Sequence, residues 1–216
     1  MHSFAWRGTG PQIVERSPGV ESVESFTAEG VMAINDRLQR VLEQTWSSYA
    51  VFPHSEAYTA QEVAQSVRVK GGQLAKVVVV RDGAGKDFMV VLPATRYFDV
   101  HKLHQVTGRA GIQLEDEREL ERLFPDCEVG AMPPFGPLYG MPMYVDPCLL
   151  RGGDIFFQAG NHHEVVLMRC EEYQDIARPF YSVACLHRNP DNLEVTAVRQ
   201  DVVARRERIG LVRSSG

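Results

Sequence analysis

Four consecutive valines, Val77 to Val80, flanked by Lys76 and Arg81, constrain this chain more than any other stretch. Side chains branched at Cβ favour extended backbone, and an unbroken apolar run predicts a strand covered on both faces. Asp82-Gly83-Ala84-Gly85-Lys86 then reads as a turn, and Asp87 to Leu92 returns antiparallel until Pro93 stops it. A hairpin is the expected frame. Lys76 stands at the mouth of its first strand, which is either a solvated strand end or the edge of a pocket.

Before the hairpin, residues 1–32 lack periodic apolar positions and carry Gly8, Gly10, Pro11, Pro18, Gly19 and Gly30, which predicts an irregular arm. Ile34, Leu38, Val41, Leu42 and Thr45 recur at helical spacing, so a helix should end near Trp46. Val51-Phe52-Pro53 reads as extended, because the residue before proline is pushed out of helix. Thr59-Ala60-Gln61-Glu62 is a capping box that opens a second helix, and Gly71-Gly72 closes it.

After the hairpin, helices are expected from Asp99 to about Val106 and from Glu115 to Leu123, the latter with Leu120 and Leu123 inward. Glycine and proline punctuate Val129 to Pro142 so densely that no regular structure is expected there. Met143 to Asp146, Asp154 to Gln158 and Glu164 to Met168 read as short strands, and Cys170 to Ile176 as a short helix. Further on, Val195 to Val203 reads as extended and Asp201 to Arg208 as helical. This order predicts an α+β fold: a single domain over residues 33–178 with a mixed, mostly antiparallel, barrel-like sheet and flanking helices. Residues 179–216 form a C-terminal extension. No glycine-rich loop follows the first strand, so neither a dinucleotide fingerprint nor a Walker loop is available.

The 216 residues suit one domain with appendages. Apolar runs are only a few residues long, so no membrane partner is expected, and Met1 to Gly10 lacks a secretory pattern. Cys127, Cys148, Cys170 and Cys185 stand far apart, which suggests reduced thiols in a cytoplasmic protein. A net charge of −5 argues against a protein that coats nucleic acid. Arg68, Lys70, Lys76 and Arg81 are nonetheless close in sequence, and form either a local phosphate grip or an ordinary mixed-charge surface.

Two groups of residues bear on chemistry. In Gly130-Ala131-Met132-Pro133-Pro134-Phe135-Gly136 the prolines fix the backbone path and the glycines leave amides uncovered, which suits an anion or the oxyanion of an ester under attack. The other reading is a stiff surface loop. His101 and His104 are three apart on an expected helix, a spacing that allows shared metal ligation, with no third ligand nearby. There is no G-x-S-x-G elbow and no cysteine with an evident histidine partner, which disfavours an acyl-enzyme route.

His54, Thr59 to Ala64, Gln73-Leu74-Ala75-Lys76, Leu123-Phe124-Pro125, Gly130 to Gly136, Val145-Asp146 and Ala159-Gly160 occur in that order. As an ordered set covering roughly residues 34 to 177, they resemble the YbaK family, the prolyl-tRNA synthetase-associated editing domain found as a free-standing protein. The resemblance implies hydrolysis of the ester joining a wrong amino acid to tRNA, most often alanine or cysteine on the tRNA for proline. It implies no cofactor and no metal. The partner would be the acceptor end of a mischarged tRNA, with an aminoacyl-tRNA synthetase as a further candidate.

By the same resemblance, Lys76 would hold the terminal adenosine's phosphate or the substrate's polar end. Gly130 and its loop, Ala131, Met132, Pro133, Pro134, Phe135 and Gly136, would position the aminoacyl carbonyl and stabilise its developing charge. Water, or the ribose hydroxyl acting as base, would complete the reaction. His162 or His163 stands near the histidine of alanine-clearing relatives, with Gly160 just before; the alternative is an exposed pair at a turn. Asp146 would orient the site or cap the next short helix. His54 and Tyr58 would wall a small amino-acid pocket or serve ordinary packing. Two rival functions stay open: a module that binds tRNA ends or aminoacyl-adenosine without cleaving, and a metal-dependent hydrolase built on His101, His104 or His162. The basic tail, with Arg199, Arg205, Arg206, Arg208 and Arg213, would touch tRNA or a synthetase, close a dimer, or remain solvated.

Overall fold

The computed structural model describes residues 12–14, 34–54, 57, 59–181 and 185–186. Tyr58, Val195 to Val203 and Asp201 to Arg208 lie outside the described residues. The valine run forms β3 (Ala75–Arg81), paired antiparallel along its whole length with β4 (Asp87–Pro93). Among the described residues two helices precede it, α1 (Asp36–Gln44) and α2 (Ala60–Ser66). The Asn35 side chain caps α1 by accepting from the Arg37 and Leu38 amides, while Thr59 and Glu62 close the expected capping box on α2. After the hairpin come α3 (Val100–Thr107), capped by Asp99, and α4 (Glu117–Leu123), capped by Asp116.

Sheet order follows from these pairings. In the five-stranded sheet, β10 (Phe180–Tyr181), β7 (Met143–Val145), β4, β3 and β6 (Gln113–Leu114) are neighbours in that order. The β4–β7 and β7–β10 pairs are parallel and the others antiparallel. A four-stranded antiparallel sheet runs β1 (Gln12–Val14), β2 (Tyr49–Pro53), β9 (Glu164–Arg169), β8 (Asp154–Gln158). Among the described residues a single isolated parallel bridge, Leu74 to Phe156, links the two sheets, which do not close into a barrel. The last pair joins β11 (Cys185–Leu186) to β5 (Tyr97–Phe98). The chain is thus α+β with mixed, mostly antiparallel sheets and flanking helices. One expectation is corrected: Val129–Pro142 contains a 3-10 turn, Gly136–Tyr139, started by Pro137, whose fixed φ suits the first turn of a helix.

The hairpin divides the core. Ala75, Val79, Met89 and Val91 pack with α1, with α5 (Cys170–Ala177) and with Met132 and Phe135. Val80, Phe88, Val90 and Leu92 pack on the other face with Phe98 and Leu103 of α3. A third cluster places Val63 and Ala64 of α2 on Leu74 and Ala94. Burying a valine or leucine side chain contributes about 1.5–3 kcal/mol, so the two-sided β4 is the anchor of the fold. No helix among the described residues is long and apolar enough to cross a membrane.

Candidate functional site: a glycine amide held by a buried histidine

Within Gly130–Gly136 solvent reaches only Gly130; the residues from Ala131 to Gly136 are buried. Phe135 stacks edge-on with Phe157 and Tyr173, and the Tyr173 hydroxyl donates to the Pro134 carbonyl at 2.9 Å. A Cβ on Gly136 would stand 2.8 Å from the Met141 carbonyl, so only glycine fits there. The expectation that Ala131, Met132, Pro133, Pro134, Phe135 and Gly136 face a substrate is therefore revised. They brace the loop from behind.

The exposed turn is fixed from its other side by residues 158–162. His162, only 3% exposed, places Nε2 3.1 Å from the Val129 carbonyl, and its Nδ1 lies 3.3 Å from Gln158 Nε2. An amide N–H can only donate, so Nδ1 accepts and Nε2–H is the donor to Val129. The His162 amide donates to Glu128 Oε2 at 2.8 Å, and the Gly160 amide donates to the Ala131 carbonyl at 2.9 Å. Gly160 has φ +108°, and a Cβ there would meet Asn35 Cβ at 2.8 Å, so Gly160 serves backbone approach.

These contacts have a directional consequence. The Val129 carbonyl and the Gly130 N–H belong to one planar trans peptide, so they point in opposite directions. Gripping the carbonyl with His162 aims the Gly130 donor away from the histidine. That N–H meets the Met132 sulfur at 3.2 Å, a weak acceptor that an oxygen would displace. Gly130 itself has φ +96°, backbone that a Cβ disfavours.

Beside this turn opens a cavity of about 490 Å³ lined by Asn35, Pro125, Asp126, Cys127, Glu128, Gly160 and Asn161. Burial pushes the Cys127 thiol up to about 11, against the hydrogen bond with the Tyr139 hydroxyl, so it is a protonated packing group at neutral pH. Sequence reasoning missed Glu128 and Asn35. Asn35 had a signal, a polar residue just before a helical run; Glu128 had none.

The other expected site residues lie elsewhere. The Lys76 amine donates to the Arg96 carbonyl at 2.6 Å and sits 5.8 Å from the Tyr97 ring centre. Strand alternation puts Lys76 on the face of Val78 and Val80, whereas Met132 and Phe135 pack against Ala75 and Val79. The side-chain contacts therefore do not gather amine and loop into one cleft. Asp146, 2% exposed, accepts from the Cys148 amide at 2.8 Å, capping a 3-10 turn over Pro147–Gly152; it continues the strand row of Lys76 and Leu92. His54 donates its amide to the His163 carbonyl at 2.8 Å and is not part of the cavity lining. His104 Nδ1 contacts the Arg109 carbonyl, and no group of three metal-ligating side chains occurs among the described residues.

A family model described as the aminoacyl-tRNA editing domain matches residues 54–176. The chain belongs to this family. Among solved structures, the editing domain is similar to the hypothetical protein APE2540, with a TM-score of 0.63 at 17% identity over 70% of this chain and 100% of that one. It is also similar to a candidate trans-editing enzyme for prolyl tRNA synthetase, with a TM-score of 0.61 at 21% identity over 69% and 95% of the two chains. A candidate signal transduction protein from Marinobacter aquaeolei VT8 matches with a TM-score of 0.55 at 18% identity, over 78% of this chain and 35% of that one. Identities this low carry the fold and nothing further. Comparison with curated protein sequences gives no match.

A buried carboxyl next to the site gives a pH prediction. Glu164 is 3% exposed and its proton is held more tightly than in an ordinary carboxyl, chiefly through burial, with the Asn161 amide 3.0 Å away acting against this. A raised native value means that ionising Glu164 costs stability once pH exceeds the unfolded value of 4.5. Glu164→Gln should therefore raise the melting temperature at pH 8 and leave it unchanged at pH 4, as read by thermal unfolding at the two pH values.

Proposed function

We propose that this chain is a trans-acting deacylase that hydrolyses the ester of mischarged tRNA in the cytoplasm, with alanine or cysteine on the tRNA for proline as substrate. The observation that carries the reading is the Gly130 amide, on an exposed turn beside the cavity, its peptide oriented by the His162 grip on Val129. Its N–H rests on the Met132 sulfur, a weak acceptor that a substrate oxygen would displace. An aminoacyl ester is already activated, so positioning plus a backbone donor for the developing oxyanion is sufficient chemistry. The Glu128 carboxylate on the same turn matches the charge of the substrate's α-ammonium. Water attacks the carbonyl, with the ribose hydroxyl as base, and the ribose oxygen leaves with the tRNA. No metal takes part. Residues 33–178 are the catalytic domain, and Lys76 holds a terminal phosphate from the hairpin's other face.

His162 is a positioning residue in this scheme. His162→Ala frees the Val129–Gly130 peptide to turn, and kcat should fall about tenfold or more with KM little changed. His162→Gln, which keeps a donor, should recover part of kcat; equal loss in both variants would show that the ring acts in another way.

The function itself is tested with tRNAs charged with alanine, cysteine, serine and proline. Cleavage of alanyl or cysteinyl esters with prolyl-tRNA spared is expected. Tight binding of all four with no cleavage would favour the non-catalytic module instead, and loss of turnover in chelator would favour the metal-dependent one.

A further inference from the structure

We propose that Asn35, at the start of α1 and outside the stretch matched by the family model, is a positioning residue that sets the Gly130 turn against residues 159–162. This rests on the reading of the Gly130 amide as the donor to the ester's developing oxyanion. A helix cap needs only an acceptor, and Asn35 Oδ1 supplies it to the Arg37 and Leu38 amides at 2.9 and 3.2 Å. The other polar groups of Asn35 serve the site. Its Nδ2 donates to the Asp126 carbonyl at 2.8 Å and lies 3.4 Å from the Cys127 sulfur. Its backbone amide donates to the Ala159 carbonyl at 2.8 Å. One residue, 7% exposed, thus holds both segments that meet at the turn.

The two segments interlock just beyond Asn35. The Glu128 amide donates to the Gly160 carbonyl at 2.8 Å, and the Gly160 amide returns to the Ala131 carbonyl at 2.9 Å. The Ala131 amide closes the turn on the Glu128 carbonyl at 3.0 Å. The reach of His162 to the Val129 carbonyl depends on this register. A Cβ on Gly160 would stand 2.8 Å from Asn35 Cβ, so the approach has no slack on that side. Leu38 and Leu42 pack in the same core cluster as Met132 and Phe135, which keeps α1, and Asn35 with it, in place. The Arg37–Asp126 ion pair at 3.1 Å joins the same parts, but the Arg37 side chain is 46% exposed and water screens the pair. The buried Asn35 bond is the firmer tie.

The test is steady-state kinetics on alanyl-tRNA together with amide hydrogen exchange, both on the full chain. Asn35→Asp keeps the cap acceptor and the shape but turns the donor into a second acceptor facing the Asp126 carbonyl. Asn35→Ser keeps a cap and shortens the reach. In each, kcat should fall about tenfold with KM little changed. Exchange of the Ala131 and Gly160 amides should quicken by about tenfold or more in both variants. Asp99→Ala removes the cap of α3, and should leave kcat and those two amides at wild-type values. Wild-type kcat in both Asn35 variants would overturn the proposal. So would an equal fall of kcat in Asp99→Ala, which would make Asn35 an ordinary cap. If the unmodified chain cleaves none of the charged tRNAs, the enzymatic reading fails and the exchange rates decide alone. Faster exchange in the Asn35 variants would then uphold the coupling, and unchanged exchange would overturn it.

Discussion

Alanine at position 130 should lower kcat for aminoacyl ester hydrolysis by about 100-fold or more while the protein stays folded, because one oxyanion donor is worth a factor of about 10²–10³. The space for a methyl group exists: a Cβ on Gly130 would lie 3.5 Å from His162 Cε1, ordinary contact. The obstacle is conformational, since φ +96° is disfavoured once a Cβ is present. Alanine therefore relaxes the turn, and the amide that His162 had aimed swings off target. Steady-state kinetics on alanyl-tRNA, with circular dichroism as the folding control, separates this from unfolding. Unchanged kcat would remove the Gly130 amide from the reaction.

Lys76→Ala should reduce kcat/KM on charged tRNA by about 100-fold, the loss expected for one charge-assisted hydrogen bond to a phosphate. The distribution of that loss is informative. A contact to phosphate made from the far face of the hairpin is equally strong in ground and transition states, so the loss belongs in KM. A short aminoacyl ester lacking phosphates should then be cleaved equally well by wild type and variant. A fall in kcat on that short ester would instead place the amine at the reacting carbonyl. Full turnover on both substrates would exclude Lys76 from the function altogether.

What the sequence displays about this fold is what short-range forces decide. The valine run and the capping box at Thr59 each act within a few residues, and each element formed where its signal lies. The expected close of α2 at Gly71-Gly72 is corrected, because the helix ends at Ser66 with Val67 as its C-cap and Arg68 in left-handed backbone. The two-residue strands β5, β6, β10 and β11 left no such mark, because they exist only through pairing with distant partners. The site shows the same division. Gly130 is visible as a glycine in a proline-rich run, yet the side chains that aim its amide come from 28–32 residues later, and their effect passes through the Val129 carbonyl. Neighbouring positions mislead in the reverse direction. Arg81 follows Lys76 by five positions, but an extended strand carries it to the opposite end of the hairpin, where the Arg122 and Arg81 guanidiniums hold Glu119 down to about 2.

The β11–β5 pair ties residues outside the family match to the bend beside Lys76: Leu186 faces Tyr97, whose ring lies near the lysine amine. A fragment cut at residue 176 keeps every residue that defines the family and discards that staple. If Lys76 holds a phosphate as proposed, a fragment cut there should show a raised KM on charged tRNA relative to the 216-residue chain.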